Sequence, residues 1–225
     1  MRPPGSLSES TFLASCIKCG QCLQVCPVQA IKLADAGDGF GVGTPYIDPR
    51  AQACDFSCDV LQCVLACPTG ALTHEITYPH QATSGLARLA RPEGCLAMQG
   101  RGFNGIAGSS FHKGKLRYAD VDRWAPISLT EYPYDLELCD LCVRQCPIEI
   151  RIAECEAGAP PSGAEGQCPP QSAIRLTKIG EEGGVARFKP EVLAGCVGCG
   201  VCEMVCPAEP VAIVVDPREV RTVRA

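Results

Sequence analysis

The sequence predicts a loop-rich α+β protein built from short helices and short strands, and three observations lead to this class. The 225 residues include 18 Cys, 23 Gly and 19 Pro, and such a share of turn-forming residues is high for a globular protein. Aromatic residues make up only 5%, which excludes a large aromatic core. Short β-prone stretches also recur along the chain after Cys-Pro pairs. We therefore expect a soluble protein whose cysteines, rather than a large apolar core, hold the loops together.

Charge and hydropathy exclude two broad classes of protein. The formal net charge of −5 argues against a general nucleic-acid binder. The longest apolar run, at 211–215, falls well short of the roughly 20 residues that a membrane span requires. The first five residues contain no apolar signal region, so no export signal is expected in the chain as written.

Two runs of four cysteines share the spacing C-x2-C-x2-C-x3-C, each followed by Pro. They comprise Cys16, Cys19, Cys22 and Cys26 in the first run, and Cys196, Cys199, Cys202 and Cys206 in the last. This is the ligand spacing of bacterial [4Fe–4S] sites, in which three thiolates bind one cluster and the fourth binds the other cluster of a pair. Zinc knuckles do not need this third Cys, and disulfides between such close neighbours would be strained. Gly20 and Gly200 are expected to let backbone N–H groups approach the cluster sulfurs.

Two further runs depart from this spacing. The second run, C-x3-C-x4-C-x3-C-P, comprises Cys54, Cys58, Cys63 and Cys67. The third run has only Cys139, Cys142 and Cys146 before its Pro, and Cys95 is the nearest upstream candidate for its first ligand. The residues between Cys95 and Cys139 would then form an insertion, which is allowed because loop-closure entropy grows only logarithmically with length.

Cys155 and Cys168 remain outside these runs. They are interpreted either as a disulfide that holds a Gly/Pro-rich loop or as two free thiols. The alternative is that Cys168, which also precedes a Pro, replaces Cys146 as a ligand.

The elements expected between the ligands are short. A helix of about one turn is the most that fits between the third and fourth cysteine of a run. The predicted strands that follow the Cys-Pro pairs are 30–33, 70–73, 173–176 and 211–214. A hairpin is expected around Lys113-Gly114, within a segment at 101–138 that contains Trp124, Tyr118, Tyr132 and Tyr134. That segment is interpreted as a folded cover over the cluster sites or, alternatively, as a docking surface for a partner. Residues 157–167 are expected to form a surface loop.

The order of the four runs, together with Arg2-Pro-Pro-Gly5, Gly43-Thr-Pro-Tyr46 and Cys63-Val-Leu-Ala-Cys67-Pro-Thr-Gly-Ala-Leu72, resembles the NapG/MauM ferredoxin-type proteins. The resemblance implies four [4Fe–4S] clusters in two nested ferredoxin-like pairs. It assigns one pair to Cys16, Cys19, Cys22 with Cys206, and to Cys196, Cys199, Cys202 with Cys26. It assigns the second pair to Cys54, Cys58, Cys63 with Cys146, and to Cys95, Cys139, Cys142 with Cys67. The corresponding units are residues 1–50 with 180–225, and residues 51–179 with the insertion 101–138.

The function that this resemblance implies is electron transfer without a substrate site of its own. Electrons would pass between a membrane quinol-oxidising partner and a soluble oxidoreductase, on the periplasmic side. No Rossmann fingerprint, phosphate-binding loop or nucleophile–base motif points to catalysis. The alternatives are a tightly bound subunit of a molybdenum or tungsten oxidoreductase, a structural or regulatory iron–sulfur protein, and a zinc- or disulfide-stapled binding module. An unsignalled chain would instead be cytoplasmic.

Overall fold

The computed structural model describes residues 1–58, 60–108, 114–116, 127–131, 133–159 and 166–218. Within these ranges, the secondary structure is sparse and is divided among short helices and two-stranded sheets. This agrees with the predicted loop-rich α+β class. None of the helices in the described part of the chain is long and apolar enough to cross a membrane.

The described residues form six α-helices, and only two of them exceed one and a half turns. The helices are α1 (Glu9–Ser15), α2 (Gln21–Gln24), α3 (Gln62–Leu65), α4 (Leu141–Arg144), α5 (Pro147–Glu156) and α6 (Val201–Val205). Helices α2, α3, α4 and α6 are the one-turn segments expected between the third and fourth cysteines. Helix α5 begins with Pro at its first position, where the missing N–H is not needed.

Within the described residues, the strands form five two-stranded antiparallel sheets. The pairs are β1 (Ile31–Leu33) with β2 (Pro45–Ile47), β3 (Leu86–Leu89) with β10 (Ile213–Asp216), β4 (Phe103–Ile106) with β7 (Pro133–Leu136), β5 (Lys115–Leu116) with β6 (Ile127–Ser128), and β8 (Ile174–Glu182) with β9 (Val185–Val192). Such small sheets are not stable alone in water. Their stability must therefore come from packing against the helices and the cysteine loops.

Three of the four predicted strands are confirmed, as β1, β8 and β10. The strand predicted at 70–73 is wrong, because only Leu72 forms an isolated bridge, to Ser6. Gly70 lies in the left-handed region, at φ +69°, and a strand cannot continue through that conformation.

The buried core consists of apolar side chains interleaved with the cysteines. Phe12, Phe56, Leu61, Met204 and Val64 are at most 1% exposed. The core therefore runs continuously along the cysteine loops instead of lying between two large layers, as the composition predicts.

The described part of the segment at 101–138 packs onto the rest of the protein. Leu129 is fully buried, and Gly114 lies so close to Met204 on α6 that a Cβ would come within 2.8 Å of its sulfur. Tyr134 is 7% exposed. Trp124, Tyr118, Tyr132 and the residues on which the predicted hairpin at Lys113 depends lie outside the described residues.

Candidate metal centres

The same local structure recurs in each cysteine run. The third cysteine occupies the second position of a one-turn helix, as Cys22, Cys63, Cys142 and Cys202. The fourth precedes a Pro, and that Pro disfavours helical backbone at the cysteine. Cys146 and Cys206 accordingly have extended backbone, with ψ of 118° and 120°. Each helix therefore ends before the fourth cysteine, and the chain turns there.

The first group of thiols contains Cys16, Cys19, Cys22 and Cys67, which line one cavity. Three of them come from the first run, and the fourth closes the second run. The Cys67 sulfur accepts a hydrogen bond from the backbone N–H of Leu72 at 3.4 Å. Burial alone would raise the pKa of Cys67, but this bond and those from Thr69 and Ala71 outweigh it and lower the pKa. The polypeptide thus stabilises a thiolate at this position.

The second group brings Cys54, Cys58 and Cys63 together with Cys26. Burial, followed by the charges of the Cys58, Cys63 and Cys26 thiolates, raises the pKa of Cys54 well above its ordinary value. The Cys26 sulfur accepts a hydrogen bond from the backbone N–H of Ala30 at 3.3 Å. The first two runs therefore exchange their fourth cysteines.

The third and fourth groups have the same reciprocal arrangement. One cavity is lined by Cys95, Cys139, Cys142 and Cys206. A second cavity is lined by Cys146, Cys196, Cys199 and Cys202, and Cys142 of the other cavity also reaches it. The structure thus places Cys95 beside Cys139 and Cys142, as the split run predicted, although 44 positions separate it from Cys139 in the sequence.

The nested pairing expected from the resemblance differs from the grouping of the thiols in the structure. It placed Cys206 with the first run, Cys26 with the last, Cys146 with the second and Cys67 with the third. In the structure, α2 packs against α3 and α4 packs against α6, so each Cys-Pro turn reaches the neighbouring run. The predicted units at 1–50 with 180–225 and at 51–179 depended on the nested pairing, and a division by neighbouring runs is proposed below.

The four groups follow one another in the order first, second, fourth, third. Cys22 contributes to the raised pKa of Cys63, which joins the first group to the second. The backbone N–H of Cys54 donates to the carbonyl oxygen of Cys199 at 3.3 Å, which joins the second to the fourth. Cys142 contributes to the raised pKa of Cys202, which joins the fourth to the third. The groups are therefore neighbours in that order.

Burial dominates the electrostatics of most of these thiols. It is the largest cause that raises the pKa of Cys63 and Cys146 to about 12, and that of Cys22 and Cys139 to about 11. Buried thiols are neutral at physiological pH when they have no metal. Metal binding at these groups would accordingly release protons.

The donor sets suit an iron–sulfur cluster better than a single ion. Within the described part of the chain, no three His, Cys, Asp or Glu side chains come close enough together to share one metal ion. Three of the groups instead line a cavity. Four thiolates, each on its own iron, are the donor set of a [4Fe–4S] cluster. The residues present therefore fit that cofactor.

The two remaining cysteines, Cys155 and Cys168, form a disulfide with a Cα–Cα distance of 5.9 Å. This agrees with one of the two interpretations drawn from the sequence. The alternative that Cys168 replaces Cys146 is wrong, because Cys146 lines the cavity of the fourth group.

The two ligand-loop glycines have reasons other than the predicted approach of N–H groups to sulfur. Gly20 and Gly200 precede α2 and α6 with φ of +75° and +89°, a region that costs other residues about 1–2 kcal/mol. A Cβ on Gly200 would also lie 2.7 Å from the Cβ of Pro49. Gly200 therefore allows the segment just before Cys54 to approach the last run closely.

Two arginines that contact a cysteine run distant in sequence have no distinguishing sequence signal. Arg50 donates from Nη1 to the carbonyl oxygens of Glu203, Met204 and Cys206 at 2.8, 3.2 and 3.0 Å. Arg151 on α5 donates from Nη2 to the carbonyl oxygen of Phe56 at 2.8 Å. By sequence, both would be taken for solvated surface charges.

A cavity of about 540 Å³ lies apart from the thiols, since no cysteine is among its lining residues. Its charged side chains, Arg2 and Glu9, form an ion pair with each other. Thr44, which also lines it, accepts a hydrogen bond from Arg2 at 2.8 Å.

Comparison with known proteins supports the cysteine chemistry. Residues 15–71 match the family model of a 4Fe-4S dicluster domain, and residues 193–209 match that of a 4Fe-4S binding domain. The dicluster match spans the first two runs, in agreement with the grouping of neighbouring runs. No solved structure matches the chain.

Relatives that match nearly the whole of this chain establish its family. The ferredoxin-type protein NapG of Escherichia coli is 34% identical over 218 residues, which cover 96% of this chain and 70% of the relative. The methylamine utilization ferredoxin-type protein MauM of Methylophilus methylotrophus is 33% identical over 219 residues, which cover 97% of this chain and 71% of the relative. The chain belongs to the NapG/MauM family of ferredoxin-type proteins. As a NapG/MauM protein, it is a ferredoxin-type electron-transfer iron–sulfur protein.

Proposed function

We propose that the protein binds four [4Fe–4S] clusters and relays electrons along them between two redox proteins. The observation that carries this proposal is the assembly of sixteen thiols into four neighbouring groups of four, three of which line a cavity. The ligand sets are Cys16, Cys19, Cys22 with Cys67; Cys54, Cys58, Cys63 with Cys26; Cys196, Cys199, Cys202 with Cys146; and Cys95, Cys139, Cys142 with Cys206. Once bound, the clusters would supply four sites for one-electron transfer.

The two units of the relay are proposed to follow neighbouring runs. The first and second runs form one unit, and the third and fourth form the other. The bond from the Cys54 N–H to the Cys199 carbonyl oxygen joins ligand loops of the two units. Because these loops touch, electrons can cross between the units without leaving the protein.

The chain's own contribution is to seclude the ligands and to donate hydrogen bonds to sulfur. Cys199 and Cys202 are at most 9% exposed, and the N–H groups of Ala30 and Leu72 donate to the sulfurs of Cys26 and Cys67. Burial disfavours added charge, and hydrogen bonds to sulfur favour it. Each group therefore provides a different environment for its cluster.

The first group is the proposed contact point with one redox partner. Cys19 is the exposed member of the sixteen thiols, all of which the structure describes. Ile17 and Leu65, which lie within the two runs that supply this group, are 63% and 64% exposed. Exposed apolar side chains beside an exposed ligand suit a protein–protein contact that brings a partner's cofactor close.

The partners and location are proposed from the family. A membrane quinol-oxidising protein and a soluble oxidoreductase are the proposed partners, and the periplasmic side is the proposed location. The disulfide between Cys155 and Cys168 supports an oxidising compartment.

Iron and acid-labile sulfide per chain, measured on protein purified without oxygen, test this proposal first. The expected result is about sixteen of each per chain, since each cluster contains about four irons and four sulfides. Reversible reduction should accompany it. Stoichiometric zinc without iron would overturn the proposal, and clusters that cannot be reduced reversibly would favour a structural role instead.

A further inference from the structure

Arg151 lies where the two proposed units meet. It belongs to α5, which begins directly after Cys146, a member of the fourth group. Its guanidinium crosses to the loop that carries the second group, where Nη2 donates to the carbonyl oxygens of Phe56 at 2.8 Å and Cys58 at 3.4 Å. The side chain therefore links α5 to the ligand loop between Cys54 and Cys58.

The interior holds this guanidinium in a fixed position. Arg151 is only 6% exposed, and its Nη1 donates to the Oε1 of Gln167 at 3.3 Å. Gln167 is itself 2% exposed. It precedes Cys168, whose disulfide to Cys155 returns to the helix that carries Arg151. The donor and one of its acceptors are thus tied to each other covalently.

A positive charge at this depth acts over a short distance through a medium of low effective dielectric. The hydrogen bonds to the carbonyl oxygens of Phe56 and Cys58 place this charge beside the loop that carries the second group.

We propose that Arg151 is a positioning residue that raises the reduction potential of the cluster held by Cys26, Cys54, Cys58 and Cys63. This inference rests on the proposed function, since it needs a cluster at that group. Reduction adds one negative charge to a cluster, and a fixed positive charge nearby stabilises the reduced form. The hydrogen bonds from Arg151 to the carbonyl oxygens of Phe56 and Cys58 keep the guanidinium close to the cluster ligands. Arg151 thereby sets the potential at the junction between the two units.

The test is a redox titration of the fully loaded protein without oxygen, followed by electron paramagnetic resonance. The signal of the second cluster is first identified as the one that is lost in Cys63→Ala. In Arg151→Gln, the reduction equilibrium of this cluster should shift about tenfold toward the oxidised form, a drop of about 59 mV for one electron. Arg151→Lys keeps the charge and should restore most of the potential.

Arg187→Gln is the matched control. Arg187 on β9 also donates to a backbone carbonyl oxygen, that of Met98, at 2.6 Å. Its loss should leave the potential of the second cluster unchanged. An equal drop in this control would overturn the proposal, because any lost arginine would then have the same effect.

Gln167→Glu provides a second measurement that does not depend on the stability of Arg151→Gln. It keeps the shape of the side chain and places a negative charge beside the guanidinium, so the same potential should fall. The role of Arg151 would be overturned if Gln167→Glu had its full cluster content and an unchanged potential, and if Arg151→Gln, where it retains its clusters, also had an unchanged potential. That result would leave the proposed function standing. A wild-type protein without four clusters would instead overturn the proposed function itself.

Discussion

Pairs of cysteine variants discriminate between the observed grouping of thiols and the nested pairing. Cys19 and Cys67 line the same cavity, whereas Cys206 lines a cavity with Cys95, Cys139 and Cys142. Replacing two ligands of one cluster damages one cluster, and replacing ligands of two clusters damages both. The effects should therefore be non-additive for Cys19 with Cys67 and additive for Cys19 with Cys206.

The expected magnitudes follow from four clusters per chain. Each single Ala variant should retain about three intact clusters. The double variant Cys19→Ala/Cys67→Ala should also retain about three, and Cys19→Ala/Cys206→Ala should retain about two. Nested pairing would reverse the two results, because it assigns Cys19 and Cys206 to one cluster.

Mössbauer spectroscopy on iron-57-enriched protein counts the intact clusters directly. It also separates them from clusters that have lost one iron, so partial damage does not obscure the count. About two intact clusters in Cys19→Ala/Cys67→Ala, with about three in Cys19→Ala/Cys206→Ala, would refute the grouping by neighbouring runs.

Two further predictions concern the loops around the thiols. Cys155→Ser should leave the iron content unchanged, because its disulfide to Cys168 lies outside the four groups. Loss of this disulfide, which spans 13 residues, should lower the free energy of unfolding by about 3 kcal/mol and the unfolding temperature by about 6–12 °C. A loss of about four irons in this variant would show that the ligand set is wrong. Gly200→Ala should lower the unfolding temperature more than Gly20→Ala does. Both substitutions place a Cβ on a residue with positive φ, which is destabilising. Only at Gly200 would the added Cβ also lie 2.7 Å from another atom, the Cβ of Pro49. Equal losses in calorimetry would contradict the close approach at Gly200.

Local features of the candidate sites could be predicted from the sequence because short spacings leave the chain little freedom. Two residues between cysteines keep Cys16, Cys19 and Cys22 on one loop. The Pro after Cys26 disfavours helical backbone at that cysteine, and α2 ends before it. The same reasoning placed the one-turn helices and the strands β1, β8 and β10. It failed at 70–73, where the left-handed backbone of Gly70 interrupts the stretch.

The sequence by itself therefore determined which cysteines group in threes, the loop-rich class and the iron–sulfur chemistry. Only the tertiary structure decided which fourth cysteine completes each group. Nested and neighbouring pairings close loops of different length, and the entropy of closure differs between them only logarithmically, so chain length cannot choose. The packing of α2 on α3 and of α4 on α6 makes the choice. The same packing places Arg151 of one unit against the ligand loop of the other, 93 positions away from Cys58, a contact that no local pattern encodes.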